Sequence, residues 1–238
     1  MQTFLRAAEI WVPDADGQLL EFGSGAYDRA PAFGHASRGM CFGRGEGLPG
    51  NVWDQRMPIV LTDLQGGYFQ RAAAARAAGL VVAVGLPVFF GESLKAVVVI
   101  FCGAAGVGTG SVTLTPADAA GSLPPLLQDH GRRLTLSVAT PGSSPYLVCF
   151  ESTDELAVAT RIERWIAGAD AQSLRRVDGV DEALGSLAVE ERSALDPMPP
   201  FAAFAVFASG LPQTGPGPQI ALPQVRDGEV AEVIVLHF

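Results

Sequence analysis

A glycine-rich turn followed by a short helix and an apolar strand, all within Arg38–Leu64, constrains the fold of this chain most. Glycines in such a run mark backbone that bends sharply or takes a positive φ. Four of them lie close together: Gly43, Gly45, Gly47 and Gly50. Pro49 suits the first turn of a helix, because the amides of that turn have no partner within the helix. We therefore predict a helix that starts at Pro49 and ends before Met57, then a strand at Ile59–Leu61.

The segments on either side of this turn continue a recognisable order. Four segments take part in it: Ala8–Phe22, Tyr68–Leu80, Val81–Val88 and Ala96–Phe101. Together with the GEGLPG turn, the VW pair and the apolar strand that runs into TDL, this order resembles the core of GAF domains. The resemblance implies that the four segments form, in that order, an opening hairpin, a helix and two strands. These domains are the small-molecule sensor modules of signalling proteins, and the resemblance spans roughly residues 7–103.

The resemblance implies an α/β fold of the layered α+β type. Its centre is a GAF-like antiparallel sheet flanked by helices, with a ligand held between the sheet and the segments that cover it. Alternating helix and strand patterns along the chain agree with layers of this kind. GAF domains also open with a long helix before the first strand, and only MQTFLRA precedes it here.

The end of the chain repeats an earlier hairpin. Val84–Cys102 aligns without a gap to Ile220–Phe238, each with Leu-Pro, a polar turn and an apolar strand. The same spacing places Glu9–Val12 beside Pro145–Phe150. We therefore predict a tandem repeat, consisting of a GAF domain at 1–110, a linker or helical connection at 111–139, and a degenerate GAF-like domain at 140–238.

The second copy is expected to differ from the first in its helices. Thr153–Gly168 has apolar residues at helical spacing, which predicts a helix. In place of the GEGLPG turn we expect a helix at Gly185–Glu190. The aromatic and arginine-containing helix of the first copy is replaced by a Pro- and Gly-rich loop at Ser209–Gln219.

Composition excludes several kinds of partner. Hydrophobic residues make up 48% and charged residues 17%, which permits a sizeable core, and the formal net charge is −9. Nucleic acids and anionic membranes both select basic surfaces, so we expect neither as a partner. No apolar run approaches the roughly 20 residues that span a bilayer. The start of the chain also lacks an apolar signal core, so we expect a cytoplasmic protein.

The resemblance places a small-ligand site over the first sheet. Aromatic side chains supply stacking area there, and arginine supplies a fork of donors for a carboxylate or phosphate. The residues of this chain at matching positions are Tyr27, Arg38, Cys41, Trp53, Tyr68, Phe69 and Arg71. Trp53 and Phe69 are also natural core residues, and we expect Trp53 to be buried. Arg71 is expected to face a cavity shared with Tyr68 or Cys41.

Three scattered cysteines and three scattered histidines give no metal-binding spacing, and no cofactor can be assigned. Cys41 lies beside the glycine turn, where backbone amides could lower the pKa of a thiol. The free-methionine-sulfoxide reductases, a GAF-related class, use cysteine chemistry. Their cysteine, however, falls inside the turn, where this chain has Leu48-Pro49.

The sequence therefore predicts a non-enzymatic sensor module. It would bind a small molecule through a GAF domain, form a homodimer, and pass its signal in trans to a partner protein, because the sequence contains no recognisable output domain. One alternative is a redox enzyme that uses Cys41. The other is a structural dimerisation protein whose pocket is filled.

Overall fold

The computed structural model describes residues 3–28, 30–103, 110–117, 126–152, 156–168, 173–193, 202–226 and 228–238. These residues form three antiparallel β-sheets and four α-helices of six to nine residues. The expectation of an α/β fold with helix layers flanking each sheet is therefore wrong. The apolar strands bury much of their surface against other sheets, so fewer helices are needed to cover them.

The first sheet has six strands in the order β3-β2-β1-β6-β5-β4. Their bounds are β1 Leu5–Pro13, β2 Leu20–Tyr27, β3 Cys41–Phe42, β4 Ile59–Leu61, β5 Leu80–Phe90 and β6 Ser93–Gly103. The predicted opening hairpin and the strand after the glycine turn are both present. Successive residues of β1 and β6 point to opposite faces, and both faces are buried.

Among the described residues, the helices of the first half of the chain all lie on one face of the first sheet. They are α1 Pro31–Ser37, α2 Gly47–Gln55 and α3 Ala72–Ala77. The predicted helix at Tyr68–Leu80 is thus shorter than expected. Glycines shape the turn before α2: a Cβ on Gly50 would lie 2.0 Å from the carbonyl oxygen of Gly43. The motif therefore closes a tight turn through backbone proximity.

Residues 110–152 contribute a middle sheet of four strands in the order β7-β10-β9-β8. Their bounds are β7 Gly110–Pro116, β8 Leu127–Gln128, β9 Arg133–Val138 and β10 Tyr146–Ser152. A linker or helical connection was expected at 111–139, but β7 and β9 in this range are strands, and residues 118–125 lie outside the described residues. Polar and apolar residues alternate along Ser111–Leu114, which suits a strand with one covered face.

The second sheet has seven strands, of which six follow the order β13-β12-β11-β17-β16-β15 while β14 pairs with β12. The bounds are β11 Arg161–Ala167, β12 Ser173–Asp181, β13 Gly185–Ser186, β14 Glu190–Ser193, α4 Ala202–Ser209, β15 Gln213–Thr214, β16 Gln219–Arg226 and β17 Glu229–His237. Both helices predicted in this half are wrong. Arg161–Ala167 is a strand because pairing with the apolar β17 outweighs the helical spacing of its apolar residues. The segment after β12 also pairs as strand.

The two larger sheets share strand order and register. β1 has a register shift between Ile10 and Trp11 where it pairs with β2, and β11 has one between Arg164 and Trp165 where it pairs with β12. Glu9-Ile10-Trp11 thus corresponds to Glu163-Arg164-Trp165. The predicted match of Glu9–Val12 with Pro145–Phe150 is wrong, because that segment belongs to the middle sheet.

The two predicted hairpins, β5-β6 and β16-β17, occupy the same place in each sheet. Ahead of them, α4 and β15 take the place of α2 and β4: Ile59 pairs with Gly85, and Gln213 pairs with Ala221. Between β4 and β5 the chain inserts the segment that contains α3. Between β15 and β16 only residues 215–218 intervene, so the second sheet has no counterpart of α3.

A single apolar cluster joins all three sheets on the side away from α1–α3. It includes Ile10 and Val98 of the first sheet, Leu136 and Phe150 of the middle sheet, and Leu222 and Ile234 of the second. The face of the first sheet that carries no helix is therefore covered within the chain. In the part of the chain that the structure describes, every helix is too short to cross a bilayer.

Candidate functional site

A buried ion pair occupies the predicted ligand position of the first sheet. The Glu9 carboxylate on β1 has no exposed surface, and Arg71, just before α3, is 7% exposed. Arg71 Nη1 donates to Glu9 Oε1 at 2.6 Å, and Nη2 donates to Oε2 at 3.0 Å. This two-point geometry matches the guanidinium fork to the carboxylate and satisfies both charges inside the protein.

Aromatic rings enclose the guanidinium of Arg71. The Arg71 Cζ atom lies 4.5 Å from the centroid of the Phe33 ring, and 5.3 to 5.8 Å from those of Phe101, Phe69 and Trp11. Arginine is attracted to ring faces more strongly when water is excluded. The rings therefore stabilise the cation and leave little room for an added ligand.

Two hydroxyl groups complete the network around Glu9. Ser37 Oγ of α1 donates to Glu9 Oε1 at 2.5 Å, and Tyr27 Oη of β2 donates to the same oxygen at 3.1 Å. Arg71 Nη1 also donates to Ser37 Oγ. Burial, and then the nearby carboxylate, raise the pKa of Tyr27 well above its usual value, so its hydroxyl stays protonated and keeps donating.

The structure brings three of the seven predicted site residues together. Tyr27, Phe69 and Arg71 meet around Glu9. The expectation that Arg71 faces a cavity with Tyr68 or Cys41 is wrong: Arg71 is buried, Cys41 is exposed on β3, and Tyr68 is 41% exposed. The reason is Glu9, which satisfies the arginine from within the protein.

The two remaining predicted residues lie apart from this pair. Arg38 is exposed just beyond α1. Trp53 is 5% exposed, which confirms its predicted burial, and the guanidinium of Arg44 lies 4.6 Å from the centroid of its ring. Trp53 thus belongs to the core under α2.

Sequence reasoning missed the acidic partner, and with it Ser37 and the rings of Trp11, Phe33 and Phe101. One signal was available: Glu9 is the lone charge in the apolar run AAEIWV, and Glu-x-Trp recurs at Glu163–Trp165. A carboxylate within a buried strand requires a partner, because an unpaired buried charge is costly.

The second sheet holds a carboxylate at the place that corresponds to Glu9. Glu163 is 2% exposed and accepts hydrogen bonds from Arg176 Nη1 at 2.5 Å and from Arg161 Nη2 at 2.8 Å. His237 Nε2 lies 3.3 Å from its other oxygen. Burial alone would raise the pKa of Glu163, but the hydrogen bonds from these three side chains outweigh burial and lower it to about 2.

A pocket of about 370 Å³ opens beside this carboxylate. We call it the Arg161 pocket, and it is lined by Thr160, Arg161, Asp181, Glu182, Ala183 and His237. A volume of this size is within the range of small-molecule sites. A separate apolar cavity, where Leu86-Pro87 approaches Leu222-Pro223, has only about 30 Å³ and is too small for a metabolite.

The thiols and the metal-ligating side chains form no second site in the described part of the chain. All three cysteines are free, and burial raises the pKa of Cys102 well above its usual value. Within the same residues, no three His, Cys, Asp or Glu side chains are grouped so as to hold a metal ion.

Comparison with known proteins gives little. No protein-family model matches the chain, and no curated protein does. Among solved structures, the chain is similar to a GAF domain of NlH2 from A. aeolicus in an inactive state, with 19% identity and a TM-score of 0.34. The match covers 43% of this chain and 60% of that one, so it spans less than two thirds of that structure. A TM-score this low is a weak likeness.

Proposed function

We propose that this chain is a non-enzymatic module built from two GAF-like units, whose first unit is a structural support and not the place where a ligand binds. The first unit consists of the first sheet with α1–α3, and the second unit consists of the second sheet with α4. The chain would act through contacts with a partner protein in trans.

One observation carries this proposal: Glu9 and Arg71 form a buried two-point ion pair where the GAF resemblance places a ligand. An external carboxylate or phosphate would have to displace Glu9. It would then leave a buried carboxylate without its cation, which costs several kcal/mol. The first unit is therefore better suited to holding its own shape than to exchanging a ligand.

The shared strand order and register of the two larger sheets support the tandem arrangement. The same Glu-x-Trp triplet lies at the same register shift in both. The apolar cluster between the sheets buries the face that would be left open if either unit stood alone. A homodimer stays a prediction, which sedimentation velocity would test by giving twice the mass of one chain.

A Cys41 enzyme has less support from the geometry. Cys41 is exposed on a two-residue strand, and Cys102 is fully buried, so the two thiols lie in different environments. A reductase mechanism requires a second thiol to resolve the oxidised first one. We expect no thiol-dependent reduction of free methionine sulfoxide, and no effect of Cys41→Ser on any background rate.

The proposal is tested by probing the first unit with the ligands that Arg71 was predicted to bind. Acetate, succinate, inorganic phosphate and AMP are added to the full chain while the backbone amides of Glu9 and Ala72–Ala77 are followed by NMR. We expect these signals to stay unmoved at millimolar probe. Saturable shifts centred on Glu9 and α3 would show that the position is accessible, and the proposal would then be wrong.

A further inference from the structure

The Arg161 pocket occupies the position that α1 and the α3 segment cover in the first unit. Ala7 pairs with Tyr27 and Phe101 there, and the corresponding residue Arg161 pairs with Asp181 and His237. In the first unit Phe33 of α1 packs on Phe101 at 4.8 Å, and Phe69 packs on it at 6.2 Å. In the second unit the segment that contains α3 is absent, and strands replace α1.

Where this cover is absent, largely apolar side chains are replaced by polar and charged ones. The positions of Ala7, Tyr27 and Phe101 hold Arg161, Asp181 and His237 in the second unit. Two of the first-unit residues, Ala7 and Phe101, have no exposed surface. The corresponding second-unit residues line a pocket of about 370 Å³. The second unit has therefore opened the site that the first unit fills with its own side chains.

The pocket presents charges of both signs. Arg161 Nη2 donates to Glu163, whereas Nη1 is 3.8 Å from Asp181 Oδ2, which is beyond hydrogen-bond distance. Nη1 is therefore the nitrogen of Arg161 that can donate to a ligand in the pocket. On the acidic side, Asp181 Oδ1 accepts from the amides of Ala183 and Leu184, so that side chain is fixed in a turn. Glu182 accepts no hydrogen bond from the described residues.

We propose that the Arg161 pocket binds a small zwitterion of the amino-acid type, with its carboxylate toward Arg161 and His237 and its ammonium toward Glu182 and Asp181. A ligand with one charge would satisfy one side of the pocket and be repelled by the other, whereas a zwitterion satisfies both. Glu163 lies behind Arg161 and orients its guanidinium. This inference rests on the proposed function, because it makes the second unit the sensing unit of the module.

The test is an NMR titration of the full chain with five free amino acids: glycine, L-alanine, L-lysine, L-glutamate and L-phenylalanine. Propionate and ethylamine are the controls, since each carries only one of the two charges. We expect at least one amino acid to shift the amides of Arg161, Glu182 and Ala183 saturably. Each control should bind at least about tenfold more weakly.

Variants assign the binding to the pocket. Glu182→Gln removes the free carboxylate, and Arg161→Lys keeps the charge but removes the fork of donors. Each should weaken binding at least about tenfold without changing the thermal midpoint by more than a few degrees. Glu21→Gln, the same change at an exposed position of the first sheet, should bind like the natural chain.

Three results would overturn the inference: no shift with any of the five amino acids at about 20 mM, binding that survives Glu182→Gln unchanged, or propionate binding as tightly as the amino acids. Shifts at Glu9 and Ala72–Ala77 would instead contradict the sealed first unit. The failure of the proposed function is therefore distinguishable from the failure of this inference.

Discussion

The first and second sheets place a buried glutamate at the same register position, yet they neutralise it differently. Glu9 is held by Arg71, which arrives from the segment between β4 and β5 together with its own aromatic enclosure. Glu163 is held by Arg176 and Arg161, which come from the neighbouring strand and from its own strand. In the second unit, arginines on the strands therefore neutralise the buried carboxylate, whereas in the first unit an arginine from the segment between β4 and β5 does so.

This difference decides which site is open to solvent. Arg71 belongs to the segment that contains α3, and the same segment contributes Phe69, which helps to close the site. Arg161 and Arg176 lie on strands of the second sheet, so Glu163 remains paired although this unit has no α3. The Arg161 pocket lies at the position that α1 and the segment containing α3 fill in the first unit.

The largest expected effect comes from breaking the sealed pair. Arg71→Ala should lower the free energy of unfolding by about 4–5 kcal/mol, because it leaves Glu9 buried without a counter-charge. Arg176→Ala should cost less, about 2 kcal/mol, since Arg161 and His237 still face Glu163. Chemical denaturation of the full chain measures both.

Arg76→Ala is the matched control for this comparison, because Arg76 is exposed on α3, which directly follows Arg71 in the same segment, and within the described residues its side chain hydrogen-bonds to Gln65 alone. It should change the stability by less than about 0.5 kcal/mol. If Arg71→Ala lowers the free energy of unfolding no more than this control does, the Glu9–Arg71 pair does not stabilise the first unit. The proposed difference between the two sheets would then be wrong.

Trp53→Ala should lower the free energy of unfolding by roughly 3–5 kcal/mol, the usual cost of emptying a core aromatic site. Its counterpart on α4 is Phe207, which is only partly buried. Phe207→Ala should therefore cost about half as much. A loss below about 1 kcal/mol for Trp53→Ala in urea unfolding would place that ring at the surface.

The second sheet should lose stability in acid through its buried carboxylate. Glu163 has a pKa of about 2 in the folded chain against an ordinary value of 4.5, so its charged form is favoured by folding. This shift contributes about 3 kcal/mol to the free energy of unfolding. The contribution is fully present above about pH 5 and is lost as the pH falls toward 2. Glu163→Gln should remove this part of the pH dependence of the unfolding free energy, although it also lowers stability at neutral pH. An unchanged acid slope in Glu163→Gln would show that other carboxyls cause it.

The smallest effect concerns the ends of the corresponding helices α2 and α4. Arg56 after α2 and Gly210 after α4 both take a positive φ, of 58° and 70°. A Cβ on Gly210 would also meet the Phe90 ring at 2.6 Å. Gly210→Ala should therefore lower the free energy of unfolding by about 1–2 kcal/mol. Arg56→Gly should leave that free energy nearly unchanged, because glycine adopts the left-handed backbone without strain, which offsets the loss of an exposed ion pair with Glu92. Thermal unfolding of the two variants in parallel gives the comparison.

Local signals predicted the parts of the first sheet that depend on local chemistry. The glycine turn, the strand at Ile59–Leu61 and the two hairpins with their Leu-Pro pairs are all present, because turn geometry and strand alternation are properties of short segments. The β11 strand was mistaken for a helix, since its apolar residues fit both periods and only pairing with β17 decides between them.

The candidate site depended on pairs that are distant in the sequence. The sequence indicated a polar role for Arg71 near the ligand position, but the partner of Arg71 is Glu9, 62 residues earlier on β1. Nothing local distinguishes an arginine that awaits a ligand from one that already has a buried carboxylate. The Glu-x-Trp triplet shared by Glu9 and Glu163 would have shown that the carboxylate belongs to the repeated framework.

The central claim is that one site is sealed and its counterpart is open, and cysteine labelling tests it most directly. Ala7 and Arg161 occupy corresponding positions, and Ala7 has no exposed surface. In a chain with Cys41 and Cys149 changed to serine, Ala7→Cys should react with a thiol reagent at least about a hundredfold more slowly than Arg161→Cys, because labelling there requires local opening. Equal rates at the two positions would contradict the account.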